Sequence, residues 1–140
     1  MDRPFLVAVD FSPYTKRNID YAVSLASTKR NRIDLITVVK PPPIARGGPG
    51  RAIYAQALRD RLAGVKPGIE DLLLTVPEEL RGECIVRDGL PADVICNVAK
   101  DGYGMVVLGT HGRSGFRHAL LGSVAENVVR NCTIPTLVVR

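Results

Sequence analysis

The stretch Gly109-Thr110-His111-Gly112-Arg113-Ser114-Gly115-Phe116-Arg117-His118-Ala119-Leu120-Leu121-Gly122-Ser123 concentrates the groups in this 140-residue chain that could act on a ligand. Its glycines follow the pattern Gly109-x2-Gly112-x9-Gly122-Ser123. Glycine lets a loop turn tightly and brings backbone N–H groups against phosphate oxygens. Gly122 and Ser123 open a helical pattern, where unpaired N–H groups and the positive end of the dipole favour an anion. Ser123 is placed both to cap that helix and to donate to a phosphate. Arg113 and Arg117 either neutralise phosphate charge or are solvated loop arginines. Thr110 and Ser114 are loop hydroxyls with no stronger claim. His111 and His118 have no carboxylate or nucleophile matched to them in the sequence, so phosphate contact or solvent exposure is the reading for both, and no catalytic residue is assigned. No Gly-x4-Gly-Lys-Ser/Thr occurs, which excludes a Walker loop. No Gly-x-Gly-x-x-Gly follows the first strand, which disfavours a standard dinucleotide fold.

The elements that must hold these residues alternate strictly. Phe5-Leu6-Val7-Ala8-Val9 is a buried-strand run. Ser12 is a good N-cap, and Pro13 fits the first position of a helix over about 14–27, with Ile19, Ala22, Val23 and Ala26 at helical spacing. A second strand covers 33–39 and ends at Pro41-Pro42-Pro43. The segment 41–50 holds four prolines and three glycines and reads as a surface loop. Helix two starts near Arg51, with Ile53, Ala57 and Leu58 inward. Pro67-Gly68 predicts a break or kink before a further helical stretch over 69–75. A short strand over 83–86, a helix over 91–101, a strand over 105–108, a helix over 123–131 and a strand over 136–139 complete the chain. The strands are apolar on both faces, as a parallel sheet covered by helices requires. The expected fold is a three-layer, doubly wound α/β domain with a five-stranded parallel sheet, occupying residues 1–140 as one domain.

In such sheets ligands bind beyond the carboxyl ends of the strands, where strand order reverses. That rule selects Asp10-Phe11-Ser12 after strand one, Val38-Val39-Lys40 after strand two, and the segment from Gly109 after strand four. Asp10 is therefore a candidate ligand residue, whereas Ser12 is better read as a cap.

Composition narrows the class of partner. The formal net charge of +5 permits an anionic partner without naming one. The densest basic stretch, Thr28-Lys29-Arg30-Asn31-Arg32, falls at a helix end, where the dipole favours cations, so a nucleic-acid patch is the weaker reading. No apolar run approaches the roughly 20 residues that span a bilayer. The N-terminus has no signal-peptide pattern, which predicts a cytosolic protein. Cys84, Cys96 and Cys132 are far apart, with no Cys-x-x-Cys pair, and the expectation is three reduced thiols packed as small apolar groups. The alternative is a redox-sensitive thiol, with Cys132 foremost because it sits at a helix end.

Taken together, Gly109-x2-Gly112-x9-Gly122-Ser123, the opening Val9-Asp10-Phe11-Ser12, the stretch Gly89-Leu90-Pro91-Ala92-Asp93-Val94-Ile95 and the ending Ile134-Pro135-Thr136-Leu137-Val138-Val139 resemble the universal stress proteins, in their ATP-binding branch. The resemblance covers essentially the whole chain. It implies the adenine nucleotide α-hydrolase-like strand order 3-2-1-4-5. It also implies that Asp10 contacts the ribose and adenine end of ATP, that Val38 or Val39 meets adenine, and that Gly109, Gly112, Gly122 and Ser123 cradle ribose and phosphates. Thr110, His111, Arg113 and Val124 adjoin these and complete the candidate set. Mg²⁺ or Mn²⁺ could bridge the phosphates, but no dedicated carboxylate cluster for a metal is apparent. The resemblance further implies a homodimer that pairs the strand-five edges near Leu137, Val138 and Val139. One departure stands out: the family usually has an acidic residue just before strand four, where this chain has Tyr103-Gly104. The expected function is a regulatory ATP-binding module of the stress response, at most a slow ATPase. The alternatives are a nucleotide-free dimeric interaction domain of the same fold and an adenylyl-transfer enzyme. The latter would carry Ser-Gly-Gly-x-Asp-Ser or His-x-Gly-His, and neither occurs.

Overall fold

A computed structural model of the chain describes residues 3–44, 48, 50–110 and 121–140. Five parallel strands, β1 (Phe5–Ala8), β2 (Ile33–Val39), β3 (Arg81–Asp88), β4 (Met105–Gly109) and β5 (Thr136–Val139), form one sheet in the order β3-β2-β1-β4-β5. The intervening helices are α1 (Thr15–Lys29), α2 (Arg51–Leu73), α3 (Pro91–Ala99) and α4 (Ser123–Asn131). The doubly wound parallel sheet and its order agree with the sequence expectation.

Alternation along the strands builds two cores. Phe5, Val7, Ile33, Leu35 and Val107 point to the face covered by α1 and α2, where Ile19, Ala22, Ala26 and Ile69 meet them. Leu6, Ile36, Val106 and Leu108 point to the other face, against Ile95, Cys96 and Ala99 of α3 and Ala125 and Val128 of α4. Each helix covers the sheet through one apolar stripe, which fixes where its ends fall relative to the strand ends.

Four expectations need correction. Helix α2 runs unbroken through Pro67. Pro67 is exposed, and so is Ala63, the residue four positions earlier whose carbonyl loses its helical donor, so water can satisfy that carbonyl. Gly68 has a packing role: a Cβ there would lie 3.1 Å from the Phe11 ring. Ile53 faces solvent, because the first turns of α2 extend beyond the sheet. Strand β3 is longer than the 83–86 run, because its backbone pairs with β2 out to Arg81 and Asp88. Ser12 does not cap a helix. It sits in the turn before α1, where its Oγ accepts from the Tyr14 N–H at 3.3 Å, and α1 begins only at Thr15.

The amino end of the sheet holds a buried polar cluster that the sequence pattern did not single out. Ile33 pairs with Arg81 but Leu35 with Cys84, so Asp34 faces both Gly82 and Glu83 across a β-bulge. The bulge turns the Glu83 N–H onto Asp34 Oδ1 at 2.8 Å. Arg32 donates to both carboxylate oxygens, each at 3.1 Å, and the Tyr103 hydroxyl donates to Oδ2 at 2.7 Å. Asp34 is only 1% exposed, and these four donors make its burial tolerable. Tyr103 thus accounts for the departure noted before strand four: its hydroxyl reaches across to the strand-two carboxylate, and Gly104 lets the chain pass close to Arg3.

Burial, together with the hydrogen bond to Asp34, raises the Tyr103 pKa well above the usual value of a tyrosine. A folded-state pKa above the unfolded value of about 10 means that the stabilisation is complete below that pH and is lost as pH rises towards the folded value. Tyr103→Phe is therefore expected to lower stability by about 2 kcal/mol at neutral pH, by removing a donor to a buried carboxylate. It should also flatten the decline of wild-type stability above about pH 10. Urea titrations across the alkaline range check both outcomes. A parallel alkaline decline in the two proteins would exclude Tyr103 as its origin.

Candidate nucleotide site

The carboxyl ends of β2, β1 and β4 lie side by side, so with strands about 4.8 Å apart the three candidate segments fall within roughly 10 Å of one another. The strand order reverses here: β1 leads through α1 to β2 on one side and pairs with β4 on the other.

Asp10 follows β1 in a turn that it organises itself. Its Oδ1 accepts from the Ser12 N–H at 3.0 Å and from the Thr15 hydroxyl at 3.1 Å. This Asx-type turn carries Phe11 through a left-handed conformation, φ 59°, which is uncommon for an aromatic residue. The Phe11 ring is anchored in the α1/α2 core against Gly68. The carboxylate is therefore held half-buried at the carboxyl end of the central strand by both the turn and the core beneath it.

Val38 and Val39 are half-buried at the end of β2. The Val39 carbonyl accepts from the Gly89 N–H at 3.1 Å, so it is committed to closing β3 against β2. On the other side of Asp10, Gly109 ends β4, and the buried Thr110 follows it. The Thr110 N–H donates to the Val139 carbonyl at 2.9 Å, and its carbonyl accepts from the Gly122 N–H at 2.6 Å. That second bond brings the two ends of the glycine-rich segment together and sets the start of α4 beside β4.

Helix α4 begins with Gly122 as its N-cap, and no side chain caps it. The sequence expectation that Ser123 caps this helix is thus corrected: Ser123 is the first helical residue, and it is exposed. The side chain of Val124 packs into the α3/α4 core, which leaves it only a backbone role at the site. The first-turn N–H groups have no partners within the helix, so they point out of its end as donors for an anion. His111, Gly112 and Arg113 lie outside the described residues.

Asn18 on α1 is a candidate site residue that the sequence reading missed. It is 4% exposed, and its Oδ1 is buried without a hydrogen-bond partner. A Cβ on Gly109 would stand 2.7 Å from Asn18 Nδ2, so a side chain there would displace the Asn18 amide. The signal was present in the sequence. Thr15 and Asn18 continue the inward stripe of Ala22 and Ala26, and polar residues on a core-facing stripe ask for an explanation. The explanation is positional, since both lie at the ligand end of the sheet.

The described residues offer this end of the sheet a carboxylate fixed by its own turn, outward-pointing helix amides suited to an anionic group, and the buried Asn18 Oδ1, which has no hydrogen-bond partner. Among them no group of three or more His, Cys, Asp or Glu residues could hold a metal ion. No described helix is long and apolar enough to cross a membrane.

The fold defines an α/β protein of the doubly wound class with strand order 3-2-1-4-5. The model of the universal stress protein family matches residues 1–140, and the chain belongs to that family. It is 28% identical to the universal stress protein YxiE of Bacillus subtilis over the full length of both chains. Its fold is similar to UspA of Lactobacillus plantarum, with a TM-score of 0.81 at 19% identity, covering 100% of this chain and 99% of the other. It is also similar to a universal stress protein of Archaeoglobus fulgidus in complex with dAMP, with a TM-score of 0.62 at 20% identity, covering 99% and 98%.

Proposed function

We propose that this chain is a regulatory module that binds ATP in the cytoplasm and serves the stress response as one domain of 140 residues. The observation that carries this reading is the closure of Thr110 on Gly122, which sets the first-turn amides of α4 beside the end of β4. Asp10 faces the ribose and adenine end and Val38 and Val39 line the base. Gly109, Thr110, His111, Gly112, Arg113, Gly122, Ser123 and Val124 line ribose and phosphates, the last through its amide. The dAMP complex of the Archaeoglobus relative supports the adenine half of this assignment. The choice of triphosphate rests on the glycine pattern and the helix end. Mg²⁺ or Mn²⁺ accompanies the phosphates. Two copies associate through β5, whose outer edge carries no neighbouring strand among the described residues and would be an aggregation liability if left open. Leu137, Val138 and Val139 lie on that edge strand. Partners then distinguish the loaded dimer from the empty one.

The test is to purify the protein without added nucleotide, release any ligand by denaturation and identify it by anion-exchange chromatography with mass detection. Empty protein is then titrated with ATP and Mg²⁺. Stoichiometric adenine nucleotide, or binding with a Kd near about 1 μM, is the expected result, equivalent to about −8 kcal/mol. Absence of binding at millimolar ATP would refute the reading. Turnover on the order of 1 per second or faster would replace the regulatory role with an enzymatic one.

A further inference from the structure

Two of the three cysteines are joined, against the expectation of three reduced thiols. Cys96, in α3, and Cys132, the residue that closes α4, form a disulfide with their Cα atoms 5.0 Å apart and a sequence separation of 36. Sequence spacing could not reveal this, because the pair meets only after α3 and α4 have packed on the same face of the sheet. Cys84 lies against the opposite core, remains a thiol, and has its pKa raised, chiefly by burial. It is thus separated from the pair by the sheet and short of reactive thiolate.

The bond adds to the packing of an element with a small buried face. Helix α4 has nine residues and fully buries only Ala125 and Val128. Helices shorter than about 12–15 residues are marginal without tertiary support. Its amino end is tied by the Gly122–Thr110 hydrogen bond and its carboxyl end by the disulfide, about 13 Å away along the axis.

We propose that Cys96–Cys132 is a thiol–disulfide exchange site for a dithiol reductant, and that its redox state sets how firmly α4 presents its amino end. The consequence for nucleotide rests on the ATP-binding reading above; the clamp on α4 does not. In a reducing compartment a disulfide is ordinarily transient, and redox sensing is its usual role. Cys96 is 6% exposed and Cys132 is half-buried, so the exchange enters at Cys132. A thiolate of the dithiol attacks Cys132 Sγ and forms a mixed disulfide. The Cys96–Cys132 bond breaks, and Cys96 leaves and takes up a proton. The second thiol of the reductant then attacks its own sulfur in the mixed disulfide and releases Cys132, which is protonated in turn. Two electrons and two protons pass from the dithiol to the protein, and the dithiol becomes a cyclic disulfide. Oxidised glutathione reverses the change through two successive exchanges.

The test uses the full chain equilibrated in glutathione redox buffers and with dithiothreitol. Alkylation and mass spectrometry should find one free thiol in the oxidised form and three in the reduced form. Amide hydrogen exchange in α4 should speed up by about tenfold or more on reduction, while the β1 and β2 amides keep their protection. ATP affinity should fall by about three- to tenfold. Cys132→Ser should reproduce the reduced behaviour and abolish the response to dithiothreitol; Cys96→Ala is the second variant should the first fold poorly. Three alkylatable thiols under all buffers, or α4 protection unchanged on reduction, would overturn the proposal. A bond that resists every glutathione buffer would overturn it too, leaving a permanent staple. If α4 loosens on reduction but neither form binds ATP, the clamp stands and the nucleotide reading fails.

Discussion

Gly82→Ala is expected to lower the stability of this protein by about 3–5 kcal/mol, as the sum of overpacking and lost hydrogen bonding. A Cβ on Gly82 would collide with Asp34 Oδ1 and come within 2.7 Å of the Ile33 carbonyl oxygen. Neither contact yields easily. The carbonyl belongs to the β2 backbone, and the carboxylate is held by Arg32, Tyr103 and the Glu83 amide. If the carboxylate moves, those donors lose their acceptor in a buried setting. If β3 moves, the bulge and its pairing with β2 open. For a domain of this length the melting temperature should fall by about 10–15 °C. Asp34→Ala removes the atom that Gly82→Ala strikes, so the double variant should cost clearly less than the sum of the single ones. Residues in contact behave in this non-additive way. Denaturant titration of the three variants provides the measurement. A Gly82→Ala protein within about 0.5 kcal/mol of wild type would show that the bulge accepts a side chain and that the cluster is looser than its hydrogen bonds indicate.

Gly122→Val should affect binding far more than folding. The backbone at Gly122, φ −67° and ψ 161°, is open to any residue, so glycine is not needed for conformation. Valine is a poorer N-cap than glycine, which sets the stability cost at about 1 kcal/mol. On the ATP-binding reading, however, its branched side chain would crowd the approach of a phosphate to the first-turn amides of α4. Loss of two or more hydrogen bonds to a charged ligand corresponds to about 100-fold or more in affinity. Titration with a fluorescent ATP analogue, alongside thermal unfolding, separates the two effects. Ser123→Ala, which removes a hydroxyl but leaves the amides open, should weaken binding by only about three- to tenfold, the worth of one hydrogen bond. A folded Gly122→Val protein with wild-type affinity would remove phosphate from this helix end.

The helices and strands that hold the site were legible because burial on both faces leaves a plain trace. Apolar runs with β-formers marked β1, β2, β4 and β5, and the start of α4 at Ser123 was visible from Gly122-Ser123 ahead of a helical stripe. The Pro67-Gly68 step misled, because proline's effect on a helix depends on which side of it faces water and what packs against its neighbour. The end of β3 misled for a related reason: its residues alternate in charge and look like a loop, yet the β2 backbone extends the pairing. Asn18 and the Asp34 cluster showed themselves only once α1 and β3 were in place.

The order of apolar runs, helical stripes and glycines in the sequence determined, by itself, that the chain forms a doubly wound parallel sheet, and it directed the search for a ligand site to the carboxyl ends of β1, β2 and β4. These properties follow from local periodicity and from the handedness of strand crossovers, and both are written along the chain. Only the tertiary structure decided which polar groups meet. It brought Cys132 to Cys96, the Tyr103 hydroxyl to Asp34 and Asn18 beneath Gly109. Each of these contacts joins residues far apart in sequence, and its geometry is set by how two elements pack and not by the residues between them.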